Sequence, residues 1–223
     1  MDLQDVFNEL NFYINKYTGS WYTIPELENA IYFGSLGVYS DHKPKYATSQ
    51  LSKEILAPFR QTYNFTTLVS GYVIVPDTNY LDLLSIQIYF QISNRTVYYP
   101  IKLYNEDEIA TRLNSQIDPV TITSPIGEQI APKTFRLYPT NAYNGNVSYL
   151  TTPIKPVFGY SVISGRVIVY NPNTSVQLQW RDSEIPMVID KALSALGINL
   201  SAEMVQQWAE ARTSQNYINS NRL

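Results

Sequence analysis

Along this chain of 223 residues the spacing of the apolar side chains changes twice, and that change narrows the fold further than any other feature. Before Asn64 they recur every three or four positions, from Asn64 every two, and after Ser183 the longer spacing returns. A period near 3.6 stacks side chains on one helical face, whereas a period of two sends them to alternate faces of a strand. The expected fold is therefore α+β, with N- and C-terminal helices packed with a central antiparallel β domain. The boundaries fall at 1–62, 63–182 and 183–223, with a short helix inserted near 106–114. This length admits one large domain or two small ones, and the absence of a low-complexity linker favours one compact unit.

Within the first region Leu3, Phe7, Leu10, Ile14 and Tyr17 share a helical face, and Thr18-Gly19 ends the pattern. Thr23-Ile24-Pro25-Glu26 then reads as a capping box with proline in the first turn, opening a second helix to about Tyr39. Gly34 and Gly37 each weaken that helix by up to ~1 kcal/mol relative to Ala, which points to a close helix contact or an early end. Asp41 to Thr48 reads as a loop, and Ser49 caps a third short helix carrying Leu51, Ile55, Leu56 and Phe59.

The β region opens with Phe65 to Val75, β-branched and aromatic up to Pro76. Leu84, Ile86, Ile88, Phe90 and Ile92 alternate with polar residues, turn at Ser93-Asn94-Arg95 and return along Thr96 to Tyr104 as a hairpin. Asn105 caps the inserted helix, whose Glu106, Asp107 and Glu108 complement the helix dipole. Six of the thirteen prolines lie between Asp118 and Pro156, so irregular connections are expected there, with short strands near Thr134–Tyr138 and Val147–Leu150. Gly159–Ile163, Arg166–Tyr170 and Ser175–Trp180 read as a three-stranded meander. A helix follows from Ser183 to Leu196 with Gly197 just beyond it, and Ser201 caps a last one with Val205, Trp208 and Arg212 on its stripe. From Gln215 to Leu223 the apolar period is lost, and that tail is expected to fray or to dock on a neighbour.

Catalytic chemistry finds little to stand on. The single histidine, His42, falls in the expected loop between Asp41 and Lys43. Gly159-Tyr160-Ser161-Val162-Ile163 approaches a nucleophile elbow but has Ile where the second glycine belongs. Glu106-Asp107-Glu108 is explained by a helix first turn without a metal, and nine glycines form no phosphate loop. With no cysteine, thiolate zinc, iron–sulfur ligation, disulfides and a cysteine nucleophile are all excluded. The expected catalytic, cofactor-binding and metal sites are therefore none, and the chain is read as not an enzyme.

Charge excludes a second class. Sixteen basic against nineteen acidic side chains leave a formal charge of -3, with no basic run able to neutralise several phosphates, so a nucleic-acid reader is not expected. The opening MDLQDVFNEL has two Asp and no basic segment, and no apolar run nears the ~18 residues of a membrane span, which predicts a soluble chain without a secretory signal. Five Asn-x-Ser/Thr triplets, at Asn64, Asn94, Asn146, Asn173 and Asn199, follow from the abundance of those residues. The positive anomaly is nineteen tyrosines in a chain only 16% charged, with Tyr98-Tyr99 adjacent. Tyrosine supplies rigid apolar area with a hydroxyl and is enriched in interfaces and sugar platforms; low charge suits a subunit whose flanks are covered.

Several strings carry a resemblance. Asn11-Phe12 with Asn15-Lys16, Gly19-Ser20-Trp21-Tyr22 and Pro25-Glu26-Leu27-Glu28 resemble the opening of neck proteins in crAss-like and related Bacteroidetes-infecting tailed phages. Tyr149-Leu150-Thr151-Thr152-Pro153-Ile154-Lys155-Pro156-Val157-Phe158-Gly159-Tyr160 is similar to a middle motif of such virion proteins. Gln177-Leu178-Gln179-Trp180 and Leu196-Gly197-Ile198-Asn199-Leu200 resemble their C-terminal region. Thr151-Thr152 departs from the pattern, which has more charge there, and leaves the ring level open.

What the resemblance implies is a virion structural protein, present in the host cytoplasm during assembly. Its partners would be itself in a closed, dodecameric ring, the portal protein and adjacent neck or tail rings. DNA would pass through without sequence-specific binding, and no membrane is involved. An acidic, weakly charged channel suits a sliding genome, and a cyclic ring needs two unlike faces on each subunit. Two rivals stand beside it: a carbohydrate-binding β module of a tail fibre or surface-associated protein, using exposed tyrosines such as Tyr98 or Tyr99, and a glycan hydrolase using scattered carboxylates, for which no turnover is expected.

Overall fold

The computed structural model describes residues 1–198 apart from 18–20, 68–69, 93, 142 and 164–166. In chain order it contains α1 (Leu3–Tyr17), α2 (Ile24–His42), α3 (Gln50–Ile55), β1 (Arg60–Thr66), β2 (Tyr72–Ile74), β3 (Tyr80–Ile92), β4 (Arg95–Leu103) and α4 (Glu106–Leu113). There follow β5 (Ile126–Ala131), β6 (Thr134–Tyr138), β7 (Asn144–Thr151), β8 (Tyr160–Ile163), β9 (Val167–Tyr170) and α5 (Ile185–Ala195). The fold is α+β, with five α-helices among the described residues and a seven-stranded mixed sheet. It divides into two compact units, one of residues 1–58 with the described residues from Pro153 onward, the other of residues 59–152. The stretch 153–182, expected inside the β domain, thus belongs with the helices.

In the helical unit the period-3.6 stripes do what their spacing implies. Leu3, Val6, Phe7, Leu10 and Ile14 of α1 are buried, as are Leu27, Ala30, Ile31 and Val38 of α2 and Ile185, Val188, Ile189, Ala192 and Leu193 of α5. Each such Val, Leu, Ile or Phe side chain contributes about 1.5–3 kcal/mol of burial before entropy is counted. The capping box forms as its sequence requires, Thr23 N donating to Glu26 Oε2 at 2.7 Å. Gly34 marks the closest approach: a Cβ there would run into the Val188 carbonyl oxygen and sit 2.9 Å from the Ala192 nitrogen. The expected close contact is therefore the α2–α5 crossing, and the helix continues to His42 instead of ending early. α5 ends in a Schellman motif, with Ile198 N donating to Leu193 O, Gly197 N to Ser194 O, and φ +80° at Gly197, a value glycine adopts without a Cβ clash.

The second unit is the sheet, ordered β1-β7-β3-β4-β5-β6-β2. Every pairing is antiparallel except β4 with β5, where Lys102 and Leu103 run parallel to Ile126 and Gly127, so the sheet is mixed where an antiparallel one was expected. Phe65, Ile86, Ile88, Ile101, Val147 and Tyr149 share one core with Val73, Val75, Phe135 and Leu137. A flat sheet would hold β1 and β2 at opposite edges, so this common core requires the sheet to fold over on itself. On the other side of β5, Ile126 is buried, as is Ile109 of α4, the helix that packs against this strand.

Three expectations need correcting. The run Phe65–Val75 is not one strand: β1 already starts at Arg60, and β2 begins after Gly71, whose φ of +71° turns the chain. Ser175–Trp180 is not a strand beyond an isolated bridge of Val176 with Val157. Its alternation is real, but its glutamines bond to backbone as surrogate peptide groups, Gln177 Oε1 accepting from Leu3 N and Gln179 Oε1 from Ile154 N, at 2.8 and 2.9 Å. The loop expected over Asp41–Thr48 is shorter, because α2 takes Asp41 and His42 and a 3-10 turn takes Lys43–Lys45. The helix capped by Ser201 and the tail Gln215–Leu223 lie outside the described residues.

Candidate interaction surface

Residues singled out for chemistry are dispersed. His42 ends α2, its Nδ1 3.2 Å from Ser52 Oγ, a half-buried pair that fastens the helix end to α3. Ser161 lies inside β8, not on a strand-to-helix elbow. Glu108 returns to the Asn105 amide at 3.3 Å, so the acidic first turn of α4 closes its own capping box. Among the described residues no three His, Asp or Glu side chains converge as a metal ligand set, and no helix is long and apolar enough to cross a membrane.

The tyrosines divide by face. Tyr143 and Tyr149 are buried, and Tyr63, Tyr80 and Tyr99 pack against the sheet core. Tyr149 Oη donates to Asp77 Oδ2 at 3.0 Å; burial first, then this carboxylate, pushes its pKa up to about 12. Tyr138 Oη donates to Glu128 Oε1 at 2.7 Å and is likewise raised to about 12 by burial and then Glu128. These are structural uses. Tyr98 and Tyr99 are neighbours on one strand and so take opposite faces: Tyr99 meets Phe90 on the core side, while Tyr98 is 53% exposed beside Tyr89, with ring centroids 5.6 Å apart. Around Tyr98 and Tyr89 the outer face carries Gln87, Gln91, Asn64, Asn146, Thr62 and Thr96, a neutral field of amides and hydroxyls.

A different surface stands out on the helical unit. Among the described residues β8 and β9 form a two-stranded ribbon with no third strand, pairing Tyr160 with Tyr170, Ser161 with Val169 and Val162 with Ile168. Tyr160, Val162, Ile163, Ile168 and Val169 are all between 40% and 55% exposed. Val162 and Ile168 lie on one face, Ile163 and Val169 on the other, so both faces of the ribbon are apolar and both meet solvent. An isolated ribbon of two strands is marginal in water, and a doubly apolar one needs a cover.

Its base is firmly held. Phe158 stacks between Phe7 of α1 and Tyr170, at centroid distances of 4.4 and 4.9 Å, and its amide donates to Glu28 Oε1 at 2.7 Å. Asn171 N donates to Gly159 O, and Gly159 N to Ser175 Oγ, at 2.8 and 2.9 Å. Among the described residues the ribbon is thus an arm with a held root and an uncovered shaft. Sequence periodicity found its strands but put them in a meander, where the third strand would have covered one edge. On the same unit Trp21, from the Gly19-Ser20-Trp21-Tyr22 string, is 90% exposed. Against family models and against curated proteins, the chain finds no match.

Proposed function

We propose that this chain is a non-enzymatic virion structural protein: a ring subunit of the head-to-tail connector, bridging portal and tail around the DNA exit channel. The observation that carries the reading is the β8–β9 arm, apolar on both faces, rooted by Phe158 and left uncovered by the other described residues. A rooted apolar ribbon is a cost to a monomer and an asset to a subunit, because a neighbour removes its surface from water. On the order of 300 Å² of apolar surface on the arm is too little alone for a standard interface of about 800 Å² per partner, so further surface such as the exposed Trp21 contributes. Low charge and a net charge of -3 suit a channel wall that does not grip phosphates.

In this reading the partners are further copies in a closed ring, the portal protein and neighbouring rings, within the virion neck. Native mass spectrometry and negative-stain imaging of the recombinant chain, alone and with candidate portal protein, test it. Rings or portal-bound copies are expected; a monomer under every condition refutes it. A second reading, a carbohydrate-binding module, draws on one observation, Tyr98 and Tyr89 amid an uncharged field of amides and hydroxyls. Glycan-array binding lost on Tyr98→Ala would support it, and an array without signal removes it.

A further inference from the structure

The sheet unit has two edge strands, and they differ in how they are protected. β2 is three residues long, between Gly71 in a left-handed conformation and Pro76, and offers a partner almost nothing. β1 is seven residues long, pairs with β7 in unbroken register from Arg60↔Leu150 to Thr66↔Asn144, and carries one charge and no proline. Soluble proteins blunt sheet edges with lysines, prolines, bulges or short strands, and β1 has none of these.

Which backbone groups face outward follows from the register. Thr67 N donates to Tyr143 O, continuing the β1–β7 ladder by one residue. In an antiparallel pair the residues alternate between bonding to the partner and facing away. The peptide groups of Gln61, Tyr63 and Phe65 therefore turn to β7, and those of Thr62, Asn64 and Thr66 point off the free edge.

We infer that the β8 edge of one copy's arm adds as a strand to the β1 edge of a second copy. The inference rests on the ring reading and names its contact. Four residues of β8 fit along the seven of β1, and strand addition needs only main-chain groups and side chains of matching face. In β8, Asn171 N bonding to Gly159 O turns Ser161 and Ile163 toward β9 and leaves the peptide groups of Tyr160 and Val162 on the free edge, so the addition is parallel. Tyr160 and Val162 then continue the apolar rim marked by Tyr63 and Phe65, and Ser161 and Ile163 fall on the other side with Thr62 and Asn64. Neither strand places an acidic side chain against the other. Donor edge and acceptor edge are different surfaces of the same chain, which is the heterologous geometry a closed ring needs. The occupant is therefore a second copy.

The test uses two variants that break opposite halves. Thr62→Pro with Asn64→Pro removes two outward N–H groups and spares the ladder to β7; Val162→Asp places a charge on the arm, away from the core. Circular dichroism and thermal melting of each should match the parent, establishing that both fold. Size-exclusion chromatography with light scattering, and imaging with candidate portal protein, should show association weakened about ten- to a hundredfold and rings lost in each. Mixed one to one, the two variants should form a dimer and nothing larger, because one intact arm meets one intact edge. If both variants still build rings like the parent, strand addition is wrong and the ring reading stands. A parent that never assembles overturns both, and an arm variant that fails while the β1 variant assembles normally places the arm on another surface or partner.

Discussion

Replacing Gly34 by alanine should separate α2 from α5, although alanine is the better helix former by about 1 kcal/mol. The added Cβ would overlap the Val188 carbonyl oxygen and lie 2.9 Å from the Ala192 nitrogen and 3.2 Å from its Cβ. Two of these are backbone atoms, so no rotamer change relieves the overlap and α5 must move as a body. A gap of roughly 0.5–1 Å forfeits a quarter to a half of the dispersion between facing atoms. The facing side chains include Ile31, Val38, Val188 and Ala192, all buried; overpacking of this kind destabilises by about 1–3 kcal/mol. The net loss after the propensity gain is up to about 2 kcal/mol, or a melting temperature lower by up to roughly 8 °C at this chain length. Gly37, one turn on, is the internal control: its Cβ would meet only Lys191 side-chain carbons at 3.5 and 3.6 Å, so Gly37→Ala should stabilise by up to about 1 kcal/mol. Thermal melting followed at 222 nm and by calorimetry reads both. Equal shifts for the two variants, or a Gly34→Ala protein that melts higher, would refute the claim that backbone contact sets this crossing.

Gly145→Ala should be severe for the sheet, because a Cβ there would overlap the Gln87 carbonyl and approach Phe65 Cε1 to 2.9 Å; a loss of about 2 kcal/mol or more is expected in urea unfolding. Alkaline pH should weaken the sheet unit through Tyr149 and Tyr138. Both hydroxyls titrate at about 12 when folded against about 10 unfolded, so the stability they supply is complete below pH 10 and disappears as pH rises toward 12. Urea midpoints from pH 8 to 11.5 should fall more steeply for the parent than for the Tyr149→Phe, Tyr138→Phe double variant; parallel curves would contradict that assignment.

Local chemistry made the helices legible. The Thr23–Glu26 box, the Asn105 cap, the stripe from Leu3 to Ile14 and the Gly197 stop act over a few residues of sequence, so each could be read before any fold was known. The β3–β4 hairpin was legible for the same reason, since Asn94, with φ of 63°, sits in the turn that joins two alternating runs. Composition likewise bounded the chemistry, because a chain without cysteine and with a single histidine has few ways to build a catalytic or metal site.

Pairing across long separations was not legible. β1 finds β7 far along the chain, from Arg60 with Leu150 to Thr66 with Asn144, β4 runs parallel to β5, and β5 itself was missed because Ile126–Ala131 has no clean alternation. Ser175–Trp180 alternates like a strand yet bonds through glutamine side chains, a distinction that exists only once Leu3 and Ile154 have been brought alongside. The arm shows the division most clearly. The residues of β8 and β9 and their period of two are written in the sequence, but whether a strand is covered depends on what the rest of the chain places beside it. Periodicity is a property of neighbours along the chain, and burial is a property of neighbours in space. Only the fold decides that, among the described residues, this ribbon has no third strand and β1 lies at the edge of its sheet.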